Sequence, residues 1–126
     1  MRETIFTKNA PAPIGPYSQG VRFGNTYYFS GQIALDPSTG KFVSDTDVRL
    51  QTQQVMKNIQ ALLTEAGLDF SNVVKTSIFL KSMNDFPVVN EEYATYFHDQ
   101  FPARETVEVS RLPKDALVEI SVICCK

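Results

Sequence analysis

The sequence predicts an α+β sandwich of one β-sheet and two helices, and three observations point there. Hydrophobic patterns of period two and period 3.6 succeed one another in the order three strands, helix, strand, helix, two strands. Each helical segment carries a single apolar stripe, so each can cover part of one sheet face. The strands at Val73–Leu80 and Leu117–Ile123 are apolar on both faces instead of alternating, as a strand buried on both sides reads. Two helices can cover only one face of such a sheet. The other face needs a cover from outside the chain, most simply a second copy, so a homo-oligomer of closed symmetry is expected. With 126 residues the chain has the length of a single domain, residues 1–126, and can bury roughly two-thirds of its unfolded surface.

The elements follow in order. A short strand begins at Ile5-Phe6. The stretch Asn9-Ala10-Pro11-Ala12-Pro13-Ile14-Gly15-Pro16 is a stiff loop, because its prolines fix φ and remove N–H donors. Gln19–Phe23 and Thr26–Gly31 flank Gly24-Asn25, a two-residue hairpin signal. Asp36-Pro37-Ser38-Thr39-Gly40 is a further turn. Ser44-Asp45-Thr46-Asp47 offers N-cap residues for a helix whose stripe is Val48, Val55, Met56, Ile59, Leu62, Leu63 and Ala66, with Gly67 at its C′ position. Val73–Leu80 is the next strand. Asp85 can cap the second helix, with Pro87 in its first turn and Phe86, Val89, Tyr93 and Tyr96-Phe97 as its stripe. Arg104–Val109 and Ala116–Cys124 are the last two strands, separated by Ser110–Asp115.

Composition removes several functions. Twelve Lys+Arg against fourteen Asp+Glu give a net charge of −2 without a basic run, so a nucleic-acid backbone is not an expected partner. No stretch approaches the ~20 apolar residues of a membrane span, and the N-terminus lacks a signal peptide's apolar core. A soluble, cytoplasmic chain with no membrane partner is expected. His98, Cys124 and Cys125 are too few for a zinc site of about four ligands, and no metal is expected. His98 falls near the end of the second helix, where a cation suits the helix dipole; as the only histidine it is also the only imidazole base available. The adjacent cysteines read as reduced thiols at a strand end, one on each face. There is no GxGxxG, and Gly15 and Gly20 have P-loop spacing but are followed by Val21-Arg22, so nucleotide folds are excluded.

Four places could carry chemistry. Arg104 stands at the start of a strand that reads as an inner one, and its planar fork suits a carboxylate; an intramolecular ion pair is the plainer reading. Glu119 shares a strand face with Leu117, Ser121 and Ile123, so it is half-buried or at an interface, either as a general base beside a cleft or in a salt bridge. Tyr17 follows the rigid loop and can donate its O–H to a ligand or pack as an anchor. Ser30-Gly31 ends a strand where glycine admits a close approach to the backbone, and a simple bulge would read identically.

These residues lie in segments that resemble a known family. Asn9–Gly20 (NAPAPIGPYSQG), Ser30-Gly31-Gln32, Ala66-Gly67-Leu68 ahead of Val73-Val74-Lys75-Thr76, Val89-Asn90-Glu91-Glu92-Tyr93, Phe101-Pro102-Ala103-Arg104 and Val107–Asp115 (VEVSRLPKD) are together similar to the Rid family of reactive-intermediate deaminases, also called YjgF-like, and most to its archetypal deaminase-type subgroup. The resemblance runs through nearly the whole chain. It implies a chorismate-mutase-like fold, assembled as a homotrimer with active sites between subunits. It implies hydrolysis of short-lived 2-enamine/2-imine acids, such as 2-aminoacrylate and 2-aminocrotonate, to 2-oxo acids and ammonia, without a cofactor. It further implies that Arg104 holds the substrate carboxylate, that Glu119 positions or activates water, and that Tyr17 and Ser30 line the cleft. Gly31 and the backbone N–H of Thr106 would help bind the substrate's oxygen, and Asn90 would support the site. Many relatives carry cysteine where this chain has Thr106, so any role of a thiol there is lost while a backbone N–H is kept. Two other functions stay open: a non-catalytic trimer binding 2-oxo acids, and an endoribonuclease or translation inhibitor, which the acidic balance disfavours.

Overall fold

The computed structural model describes residues Met1–Lys126. Six strands and two helices follow in order: β1 (Glu3–Ile5), β2 (Gly20–Phe23), β3 (Thr26–Gln32), α1 (Val48–Glu65), β4 (Val73–Leu80), α2 (Phe86–Ala94), β5 (Ala103–Glu108) and β6 (Val118–Cys125). The strands form one mixed sheet in the order β1-β2-β3-β6-β4-β5. All neighbours are antiparallel except β4 and β5, which α2 connects as a parallel crossover.

Local chemistry sets the element ends. Asp47 caps α1, its Oδ1 accepting from the N–H groups of Arg49 and Leu50 at 2.9 and 3.1 Å. At the other end Gly67 takes φ 73°, and the N–H groups of Leu68 and Gly67 donate to Leu63 O and Thr64 O. Leu68 is thereby turned into the core, where it is buried.

The second helix departs from its expected form at both ends. The Asp85 backbone is already helical and its side chain makes no cap bond; Ser82 Oγ instead accepts from Asn84 N–H in a 3₁₀ turn, Met83–Asp85, that runs into α2. The helix stops at Ala94. Thr95 Oγ1 donates to Glu92 O, and Tyr96 and Phe97 donate back to Tyr93 O and Ala94 O, tightening the chain into turns. Tyr96 and Phe97 then pack on Phe70, with ring centroids 5.5 and 5.6 Å away. His98 consequently lies four residues beyond the helix, exposed, where the helix-dipole reading does not apply.

One sheet face is covered. Val55, Met56, Ile59, Leu62 and Leu63 of α1 pack with Phe29, Ile78, Ile120 and Val122, all almost fully buried. Full burial of each such aliphatic side chain contributes about 2 kcal/mol. Cys124 points into this core and Cys125 outward, both unpaired, as the strand-end reading requires; burial pushes the Cys124 thiol up to about 12. The opposite face carries Tyr28, Phe79, Val107 and Ile123, and no element of this chain covers it; Tyr28 is 51% exposed and Val107 40%. This is the face for which the two-sided strands call for a cover. β5 lies at the edge of the sheet, whereas its sequence reads as an inner strand.

Candidate active site on two sheet faces

The first half of the site is built around Gln19. Its side chain is 2% exposed; Oε1 accepts from Thr7 N–H at 2.7 Å, and Nε2 donates to Thr7 O and Pro11 O, each at 2.9 Å. One amide therefore ties the start of the proline-rich loop to Gln19 at its far end, and the loop delivers Tyr17. The Tyr17 hydroxyl accepts from Ile14 N–H at 3.3 Å. The loop is tied to β3 as well: Ser30 N–H donates to Gln19 O and Ser30 Oγ to Ser18 O, at 2.9 and 2.6 Å.

At Ser30-Gly31 the register of β3 against β6 shifts, so the expected bulge and the expected close approach coincide. Gly31 lies against Glu119, whose Oε2 would be 2.5 Å from a Cβ at that position. The start of β6 is fixed by Gln51, whose Oε1 accepts from Leu117 N–H and whose Nε2 donates to Ser44 O. Asn58 Nδ2 donates to Ile33 O and Leu35 O and holds the chain after β3. Tyr17, Ser30, Gly31 and Glu119 thus meet in a cavity of about 510 Å³, completed by Ile14, Ile33, Pro113 and Lys114. Glu119 is half-buried, and desolvation holds its carboxyl above the usual value of 4.5. A carboxyl of raised pKa beside a cavity is suited to accept and return a proton.

The second half lies on the helix-covered face. Register places Arg104 of β5 beside Thr76 of β4, and Thr106 beside Ile78. Arg104 Nη1 donates to Asn90 Oδ1 at 2.8 Å, and its guanidinium lies 5.4 Å from the Phe86 ring centroid and 5.2 Å from that of Tyr93. The plainer reading of Arg104 as an internal ion pair fails, because no carboxylate is within pairing distance. Glu105 is held by Lys75 and Ser77, and Glu91 and Glu92 are held by Arg49. Arg104, Asn90, Tyr93, Ala94, Phe101 and Pro102 line a cavity of about 380 Å³. Burial raises the Tyr93 phenol above its usual value of 10.0, so it stays a neutral hydroxyl.

Thr106 offers its backbone only. Its Oγ1 is buried without a partner. Val109 N–H donates to Leu80 O across the parallel ladder, so by the period of two the N–H groups of Arg104, Thr106 and Glu108 face the open edge.

The residues singled out in the sequence therefore fall into two sets. Tyr17, Ser30, Gly31 and Glu119 converge, and Arg104 and Asn90 converge, with Thr106 two places along the same strand face outside their cavity; the sets occupy opposite faces and share no cavity. Gln19, Lys114, Phe86 and Tyr93 were not read as site residues. Phe86, Asn90 and Tyr93 do stand at i, i+4 and i+7, the spacing of one helix face, which on sequence alone reads as core. His98 lines a separate aromatic cavity with Phe70, Tyr96 and Phe101. No three His, Cys, Asp or Glu side chains are grouped where they could share a metal ion.

Concave sites of this size, each with a few convergent polar groups, are suited to small molecules. Comparison with known proteins gives the lineage: the chain belongs to the family described as Endoribonuclease L-PSP, the YjgF or Rid family, whose model matches residues 7–126. A RutC family protein of Pyrococcus horikoshii is 53% identical over 126 residues, covering 100% of this chain and 99% of its own. A mouse protein named 2-iminobutanoate/2-iminopropanoate deaminase is 49% identical over 123 residues, covering 98% of this chain and 90% of its own. The crystal structure of YyfA, a conserved Rid family protein of unknown function from Yersinia pestis, superposes with a TM-score of 0.97 at 51% identity, covering 100% of both chains. The sheet with two helices on one face is the fold of this family.

Proposed function

We propose that the chain hydrolyses reactive 2-imino acids, and the 2-enamine acids that tautomerise to them, to 2-oxo acids and ammonia. The observation that carries the reading is that one chain presents, on opposite sheet faces, a guanidinium without an acidic partner, Arg104, and a half-buried carboxyl of raised pKa, Glu119. The mouse relative's name supports the reaction; the relative from Pyrococcus horikoshii is named for its family alone.

In this reading Arg104 binds the substrate carboxylate bidentately and fixes its plane. Protonation of the enamine carbon gives the imine, already electrophilic once its nitrogen is protonated. Water adds to C2, and Glu119 takes a proton from it and delivers one to nitrogen. The carbinolamine C–N bond then breaks, ammonia leaves, the hydroxyl proton passes to the freed Glu119 carboxylate, and C2 becomes the 2-oxo carbon. Tyr17 and Ser30 line the cleft, Gly31 gives access to the Glu119 carboxyl, the Thr106 N–H binds substrate oxygen, and Asn90 steadies Arg104. Orientation and one proton carrier suffice for this chemistry.

The two half-sites lie on opposite faces, so a complete cleft joins the Glu119 side of one copy to the Arg104 side of another. The uncovered apolar face supports a closed assembly, and a homotrimer with three such clefts is the form proposed. The test generates imines in situ with an L-amino-acid oxidase and traps the survivors with semicarbazide. Wild type is expected to suppress trapping, Arg104→Ala to fail, and Glu119→Gln to be strongly impaired. Unchanged trapping by wild type across several side chains would overturn the deaminase reading and leave binding of 2-oxo acids as the function.

A further inference from the structure

We infer that Phe86, Asn90 and Tyr93 form a charge-neutral cradle that orients Arg104 while leaving its carboxylate-binding fork free, so that Phe86 and Tyr93 are positioning residues for recognition of a substrate monocarboxylate. The inference rests on the proposed role of Arg104.

An arginine on an edge strand has several rotatable bonds, and a site that binds carboxylate through it must restrict them. The commonest restraint is an acidic neighbour, but an acid would occupy the donors that the substrate needs. Here the restraint comes without charge. Both rings are within cation–π distance of the guanidinium, leaving its in-plane donors unused, and Asn90 takes one hydrogen of Nη1 through a neutral amide oxygen. The three residues occupy one face of α2 at i, i+4 and i+7. The nearby acids are turned away: Glu91 and Glu92 to Arg49, Glu105 to Lys75 and Ser77.

The cradle is also anchored to the strand that carries the arginine's neighbour. Thr76, fully buried and in register with Arg104, shares a 2.9 Å hydrogen bond with the Tyr93 hydroxyl. Tyr93 is itself buried and packs on Phe97 at 4.9 Å between centroids. Its ring is therefore placed by the same strand pair that places Arg104.

The experiment measures Kd for 2-oxobutanoate by calorimetry, KM and kcat for imine hydrolysis, and Tm, in wild type, Arg104→Ala, Phe86→Leu and Asn90→Asp. Phe86 is half-buried at the helix start and Asn90 is exposed, so both variants are compatible with folding. Phe86→Leu removes a π face and should raise Kd and KM about fivefold with kcat little changed. Asn90→Asp keeps the shape but pairs the guanidinium internally, and should raise Kd and KM at least tenfold at an unchanged or higher Tm. If Arg104→Ala abolishes binding while Phe86→Leu and Asn90→Asp bind like wild type, the cradle is overturned and the role of Arg104 stands. If Arg104→Ala also binds like wild type, the underlying functional reading fails with it.

Discussion

Gly31 and Glu119 are in direct apposition: the glycine, on the bulge of β3, presents bare backbone to the carboxyl on β6, and a Cβ there would lie 2.5 Å from Oε2, 2.8 Å from Cδ and 3.0 Å from Cγ. These distances are below any normal carbon contact, and they involve most of the side chain. Even alanine would displace the carboxylate. Gly31→Ala should therefore lower imine-hydrolysing kcat/KM by at least tenfold, because a misplacement of about 1 Å can cost far more than that, while Tm moves by a few degrees at most. Activity assays paired with thermal melts decide it; wild-type activity would mean that the carboxyl position is unimportant.

Glu119 should also leave a mark on stability. Burial raises its pKa in the folded chain above 4.5, so between the unfolded and folded values the native state holds the extra proton. Stability then falls as pH rises through a window opening near 4.5, and stays reduced above the folded value. Glu119→Gln removes the titration. Its Tm advantage over wild type should be smallest near pH 4 and grow toward pH 7, measured by melts at matched ionic strength. An advantage that is constant with pH would show that desolvation of the carboxyl is not felt.

Gln19 holds the loop that carries Tyr17 through three backbone groups that would otherwise be buried unpaired. Gln19→Ala should cost about 2–4 kcal/mol in urea denaturation. A loss below about 1 kcal/mol would show that water takes over those groups.

Lys114 and Asp115 lie consecutively at positive φ, 55° and 57°, and Lys114 lines the Glu119 cavity. The left-handed region costs an L-residue about 1–2 kcal/mol, partly offset for glycine by its greater unfolded freedom. Lys114→Gly should therefore stabilise the chain by about 0.5–1 kcal/mol, and Lys114→Ala should not. Denaturation midpoints of the two variants compare them directly.

The fold was legible where side-chain periodicity and turn chemistry act locally. Val73–Leu80 is β4 with the same bounds, Asp47 and Gly67 delimit α1, and the two-sided strands identified a face without cover. Legibility failed where tertiary contacts decide. Tyr96 and Phe97 continue the apolar stripe of α2 in sequence, yet Phe70 draws them out of the helix and His98 with them. The edge position of β5 depends on strand order, which periodicity does not encode. At the site, Glu119 could be placed on its face by alternation. The neutral surroundings of Arg104 could not be seen, since Phe86 and Tyr93 have the same spacing whether they pack a core or hold a guanidinium.

The proposed division of the centre between the two faces of each chain has a genetic consequence. On the proposed function, lesions in Arg104 and Glu119 would disable different halves, so two inactive alleles in one cell would not be equivalent to two copies of the same allele. Mixed assemblies would contain clefts in which the intact Arg104 half of one chain meets the intact Glu119 half of another. Arg104→Ala and Glu119→Gln should therefore complement each other in co-expression, a recovery of activity that two lesions in a self-contained active site would never display.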